Sequence, residues 1–206
     1  TSILALLVLL VSAGAAPASQ DSELHKASGL VRFHAGDHAA ALTEFDAAVA
    51  ADATDLDARY YRGVTRGRLR QTTGAIEDLR AVLAAQPTLD RAALELGIAL
   101  VAGARAAEAI APLEQAKRAP ALASQAAYFL GIAELRLGQN RAAAAELRRA
   151  GESDTLRLSA RYYEGVARAR LQHWVTARDR FEYVVATDGT SKLGQEATAF
   201  LDELRP

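Results

Sequence analysis

The chain has 206 residues, with 24 basic and 25 acidic side chains and a formal net charge of −1, so no global field draws it to nucleic acid. Cysteine is absent, which excludes disulfides, thiolate metal sites and thiol nucleophiles. Half of the residues are apolar but only 6% are aromatic and five are proline, with alanine supplying much of the apolar count; this composition suits close-packed helices better than a β-sandwich.

The first predicted element is an address rather than part of the fold. Ile3 to Val11 is an unbroken apolar run, too short for the roughly 20 residues a spanning helix needs. Small residues follow, with two A-x-A patterns at Ala13-x-Ala15 and Ala16-x-Ala18. This is the layout of a cleavable signal peptide over residues 1–18, although the chain starts at Thr1 without the charged segment that would precede the apolar run. An uncleaved N-terminal anchor is the alternative. A cleaved leader implies a periplasmic or secreted protein, and the lack of cysteine removes the acceptor for a lipid anchor.

Beyond the leader, Gly29, Gly63, Gly97, Gly131 and Gly165 recur every 34 residues. Twelve residues after each comes alanine (Ala41, Ala75, Ala109, Ala143, Ala177), and sixteen after comes a large apolar residue (Phe45, Leu79, Leu113, Leu147, Phe181). Nineteen after comes a small or β-branched one (Ala48, Val82, Ala116, Ala150, Val184). Glycine in one helix facing alanine in the next would let two backbones approach, with the large residue filling the seam. The period predicts helix–turn–helix repeats at 22–55, 56–89, 90–123, 124–157 and 158–191. Turns within repeats fall at Gly36-Asp37, Gln71 to Gly74, Gly103-Ala104, Gly138 to Asn140 and Gln172-His173. Asp90 and Ser124 are placed to cap the first helices of repeats three and four. Pro112 falls inside a second helix and predicts a kink. Residues 192–205 form an amphipathic helix with Leu193, Ala197, Phe200, Leu201 and Leu204 on one face, which covers the last seam.

The period, the Gly and Ala columns and Pro87 just after a second helix resemble the tetratricopeptide repeat family over about 170 residues. The resemblance implies an all-α, right-handed α-solenoid of five 34-residue helix–turn–helix repeats plus a C-terminal capping helix. It also implies a protein-binding scaffold without enzymatic activity or cofactor. Bulky apolar residues are favoured by the family four before and three after the glycine. Here those positions hold His25, Arg59, Ala93, Ala127 and Arg161, and Arg32, Arg66, Leu100, Glu134 and Arg168.

By the same resemblance, the positions three before the glycine and one, four and five after it line a concave groove. That assigns Tyr60, Val64, Arg68, Tyr128, Ile132, Arg136, Tyr162, Val166 and Arg170 to a ligand-binding surface, suited to a protein or peptide segment of acidic character. The first Tyr of each aromatic pair either lines this groove or packs between repeats; Tyr61, Phe129 and Tyr163, one residue on, are read as packing. The Lys and Asn clamp that some family members use for chaperone tails is not reproduced. An envelope assembly, a longer outer-membrane protein with this chain at its N-terminus, and a structural spacer are further settings for such an array.

Other constellations carry less. His34 and His38 have a metal-ligand spacing, but Gly36-Asp37 interrupts the helix between them and two ligands are too few. No nucleophile elbow or phosphate-cradling loop is present in the sequence. Arg59, Arg62, Arg66 and Arg70 form a stripe that either grips an anion or is a solvated face paired loosely with Asp55, Asp57, Glu77 and Asp78; the solvated face is the preferred reading. Trp174 is expected to pack at the start of the last repeat's second helix.

Overall fold

A computed structural model describes residues 19–203 and is all-helical over that range. The predicted leader and Leu204 lie outside the described residues. Eleven helices follow in chain order: α1 (Gln20–His34), α2 (His38–Ala51), α3 (Leu56–Arg68), α4 (Thr72–Ala85), α5 (Asp90–Ala102), α6 (Ala106–Ala116), α7 (Ala123–Arg136), α8 (Asn140–Ala150), α9 (Arg157–Arg170), α10 (Trp174–Asp188) and α11 (Lys192–Glu203). No helix among the described residues is long and apolar enough to cross a membrane.

The chain divides into two compact units between Ala58 and Arg59. In the first, α1 packs on α2. Ser19 caps α1 by accepting from the Ser22 amide, and Asp37 caps α2 by accepting from the Ala40 amide at 3.1 Å. A buried polar knot fixes the end of this unit. Ser22 donates to Asp55 at 2.8 Å, Lys26 reaches the same carboxylate at 3.0 Å, and the other Asp55 oxygen takes the Ala58 amide at 2.9 Å.

In the second unit each helix from α4 onward packs on the next, and α5, α7, α9 and α11 also touch in alternation. This is a helical solenoid of repeats. The alanines twelve after each glycine and the residues nineteen after are all completely buried, as are Phe45, Leu113, Leu147 and Phe181. The glycines face these large residues more closely than they face the alanines. A methyl group added at Gly131 would lie 2.6 Å from Leu147 Cγ, and one at Gly165 would lie 2.8 Å from the Phe181 ring; at Gly131 the Ala143 carbonyl comes next, at 3.3 Å. The glycine column therefore makes room for a side chain sixteen residues on, and backbone approach to the alanine helix is the accompanying effect.

Every turn inside a repeat uses one device. The residue seven after the glycine is left-handed: Gly36 (φ 81°), Arg70 (61°), Ala104 (59°), Gly138 (74°) and Gln172 (61°). The next amide reaches back to a carbonyl five residues earlier, as from Gln71 to Arg66, Arg105 to Leu100 and His173 to Arg168. That is a Schellman closure. The second turn is centred on Arg70, so Thr72 to Gly74 are helical rather than turn residues. Asp90 is the first residue of α5 and Ser124 lies inside α7; Leu89 and Leu122 hold the cap positions without a side-chain bond, so neither polar residue acts as the expected cap. α6 runs unbroken through Pro112, so the proline does not interrupt it. α11 seats Ala197, Leu193, Phe200 and Leu201 on Phe181 and Tyr162, with the Phe181 and Phe200 rings stacked 4.9 Å apart.

Candidate functional site

The first helices of neighbouring repeats in the second unit carry the predicted groove residues, and the structure sorts them into three kinds. The tyrosines are largely structural. Tyr60 is buried with the Arg91 guanidinium 4.8 Å over its ring; burial and then the Glu95 carboxylate push its phenol up to about 12. Tyr128 is half-buried among Ala127, Ala150 and Ala160, and burial likewise lifts it to about 12. Tyr162 is buried beneath α11, edge-on to the stacked rings of Phe181 and Phe200, with its phenol raised by burial and by its bond to Glu196.

The arginines five after the glycine are exposed, yet each is tied to a neighbouring repeat. Arg136 donates to the Val101 carbonyl at the end of α5, and Arg170 donates to the Leu135 carbonyl at the end of α7 at 2.8 Å. Donor and acceptor are 35 residues apart in both cases. Each guanidinium thus adds a second donor to a carbonyl in the last turn of the preceding repeat's helix, beside the amide of Ala104 or Gly138, at the negative end of the helix dipole. Arg68 instead meets Glu95 at 3.2 Å, a half-buried carboxyl whose proton affinity burial raises against the pull of Arg68.

Of the predicted groove aliphatics one after the glycine, Val64 is buried, which leaves Ile132 and Val166 for contact. Ile132 and Val166 are half-buried and, with Leu135, Arg136, Tyr163 and Arg170, line a cavity of about 270 Å³ between α7 and α9. Four predicted groove residues therefore meet in one place. Tyr163, read from sequence as packing only, contributes to the same wall while its ring packs edge-on against Tyr128, 6.1 Å away. The equivalent space beside Val64 and Arg68 is about 30 Å³, with Glu95, Ile98 and Leu79 filling it. A larger, shallow hollow of about 640 Å³ lies at the turn edge beside Gly138 to Ala142 and Leu171. None of the sequence-predicted groove residues lines it, so the smaller cavity, where four of them meet, is the better candidate for specific contact.

Two members of the Arg stripe, Arg62 and Arg66 on α3, are committed to one buried acid, whereas Arg70 is exposed in the turn after the helix. Arg62 donates through Nε to Asp78 at 2.8 Å and through a second nitrogen to its other oxygen, and Arg66 reaches Asp78 at 2.8 Å. Asp78 is buried. Repeat five inverts the signs: buried Glu164 accepts from Arg180 at 2.7 Å, with Arg168 3.5 Å away. In the first unit Arg32 stands 3.4 Å from Glu44. These residues occupy the positions one before, three after and fifteen after the glycine. In these three repeats the arginine three after the glycine is thus met by an opposite charge. Opposite charges in the column fifteen after the glycine (Glu44, Asp78, Arg180) were the sequence signal for this.

Trp174, expected to pack, is half-exposed at the first turn of α10, beside strongly exposed Val175. His34 and His38 both lie against Phe33, with ring centroids 5.8 and 5.2 Å away. No cluster of three metal-ligating side chains occurs among the described residues.

No protein-family profile matches the chain, and no curated protein matches it. Solved structures do. MamA (residues 41 to the end) from Desulfovibrio magneticus RS-1 superposes with a TM-score of 0.75 at 19% identity, over 85% of this chain and 99% of that one. YrrB, a tetratricopeptide protein with an unusual peptide-binding site, gives 0.72 at 17% identity over 89% and 100%. TTC0263, a thermophilic tetratricopeptide protein of Thermus thermophilus, gives 0.64 at 19% identity over 87% and 98%. With the repeated left-handed turn and the buried columns, these likenesses make the chain a tetratricopeptide-repeat protein in fold.

Proposed function

We propose that the chain is a non-catalytic scaffold that holds a protein or peptide segment across the first helices of repeats four and five. The observation that carries this reading is the convergence of Ile132, Val166, Tyr163, Arg136 and Arg170 on one cavity. Its volume, about 270 Å³, suits one or two apolar side chains of a segment and is small for a drug-sized ligand. Arg136 and Arg170 each spend one nitrogen on a carbonyl, and the rest of each exposed guanidinium favours a carboxylate on the segment beside the apolar anchor. YrrB, which has this fold and a peptide-binding site, supports the general role.

Selection of segments from a displayed peptide library tests the reading. Segments with an apolar residue flanked by acids should bind, and Val166→Arg should weaken them at least tenfold with thermal stability retained. Binding untouched by that substitution would contradict the assignment.

A second reading is favoured by one observation. The 35-residue stitches from Arg136 and Arg170 serve stacking, as a structural spacer requires. A chain that selects no segment supports the spacer.

We also propose that the protein is exported to the periplasm or beyond, for work in the cell envelope. The apolar run from Ile3 to Val11 and the small residues after it support this. N-terminal sequencing of the exported chain should find a start at Ala16 or Ser19; retention of the apolar run would contradict cleavage.

A further inference from the structure

Repeat four departs from the ion-pair pattern of its neighbours. The positions three and fifteen after the glycine hold Arg66 and Asp78 in repeat two, 2.8 Å apart, and two arginines around Glu164 in repeat five. In repeat four they hold Glu134 on α7 and Glu146 on α8, and the position before the glycine is fully buried Leu130. Two acids of like charge thus occupy a buried slot built elsewhere for opposite charges. Both residues are buried, and each keeps one buried carboxyl oxygen, Oε2, with no hydrogen-bond partner.

The surrounding charges do not neutralise both. From α8, Arg149 donates to Glu146 Oε1 at 2.9 Å. From the turn after α6, Lys117 donates to the same oxygen at 3.1 Å and to Glu114 of α6 at 2.9 Å. The two cations thus converge on Glu146, and neither bonds Glu134. Among the described residues, α5 and α9, which also pack on α7, place no charged group that acts on Glu134. One proton would change an orphaned acceptor into a donor and remove one of the two like charges.

We propose that Glu134 and Glu146 form a proton-dependent latch between α7 and α8, closed while the pair holds one proton and loosened when that proton leaves. Burial, and then the Glu146 charge, push the Glu134 carboxyl up to about 7, from an ordinary 4.5. The folded chain therefore binds more protons than the unfolded one between these values. The latch's stabilisation is complete below about pH 4.5 and is lost as the pH rises through 7. α7 also carries Ile132, Leu135 and Arg136, so opening would weaken segment binding at higher pH; that consequence alone rests on the binding reading above.

The test is independent of any ligand. Carbon-13 NMR of glutamate-labelled chain should show the Glu134 carboxyl titrating near pH 7. Melting temperature should fall by about 5 °C between about pH 5 and pH 8. E134Q should remove most of that slope, and E182Q, at an exposed position of α10 that does not act on Glu134, should leave it in place. An ordinary titration of Glu134 near about pH 4–5, or an unchanged slope in E134Q, would overturn the proposal. Should E134Q fail to fold, the direct titration of the unsubstituted chain decides.

Discussion

At the residue scale, the most consequential side chain beside α3 is the acid of α4 that its arginines hold. Asp78 is buried and takes three guanidinium bonds, from Arg62 and Arg66. Exposed ion pairs contribute little, but removal of one partner from a buried pair strands the other in poor solvent. Asp78→Ala is expected to cost about 3 kcal/mol in chemical denaturation. A loss below about 1 kcal/mol would mean that water satisfies the two guanidinium groups, which makes them available to an outside anion. Asp78 was among the acids that the sequence reading paired loosely with the stripe. Its burial was not legible, because a helix-face reading does not show which of four nearby acids turns into the seam, here one 12 and 16 residues away on the facing helix.

At the element scale, a Schellman turn asks for glycine at the left-handed residue, and Gly36 and Gly138 supply it. Arg70, Ala104 and Gln172 hold the same conformation with a Cβ. Ala104→Gly should therefore stabilise the chain by roughly 0.5–1 kcal/mol, the relief of a left-handed alanine less the added freedom of the unfolded chain. A destabilised variant in thermal melts would show that φ relief is the smaller of these effects. Much of this architecture was legible in the sequence, since burial of the alanine and large apolar columns needs only the period. The left-handed column was hidden because three of its five members are not glycine. Asp90 and Ser124 look like caps in isolation, yet the chain enters α5 and α7 earlier, through Leu89 and Leu122. Local capping preference yielded there to the apolar register of the repeat.

At the scale of the whole molecule, the repeats of the second unit share one plan and differ in what they leave open. Repeats two and three close their junction around Arg68 and Glu95, with little space beside it. Repeats four and five leave Ile132 and Val166 facing a cavity, flanked by arginines tied to carbonyls one repeat back. α11 covers the end of the array and takes Tyr162 into the core, which is why the aromatic column reads as groove from sequence and as packing in the structure. The candidate site was therefore half legible: the family register places its aliphatic and arginine rows, whereas the fate of each tyrosine depends on which helix lies over it. The central claim is that a bound segment seats an anchor between α7 and α9. Its most direct measurement is photocrosslinking in cells from a reactive residue placed at position 132 or 166, with positions 145 and 182 as controls, followed by mass spectrometry. One segment, captured from 132 and 166 and not from the controls, is the predicted result; equal capture from all four positions would contradict it.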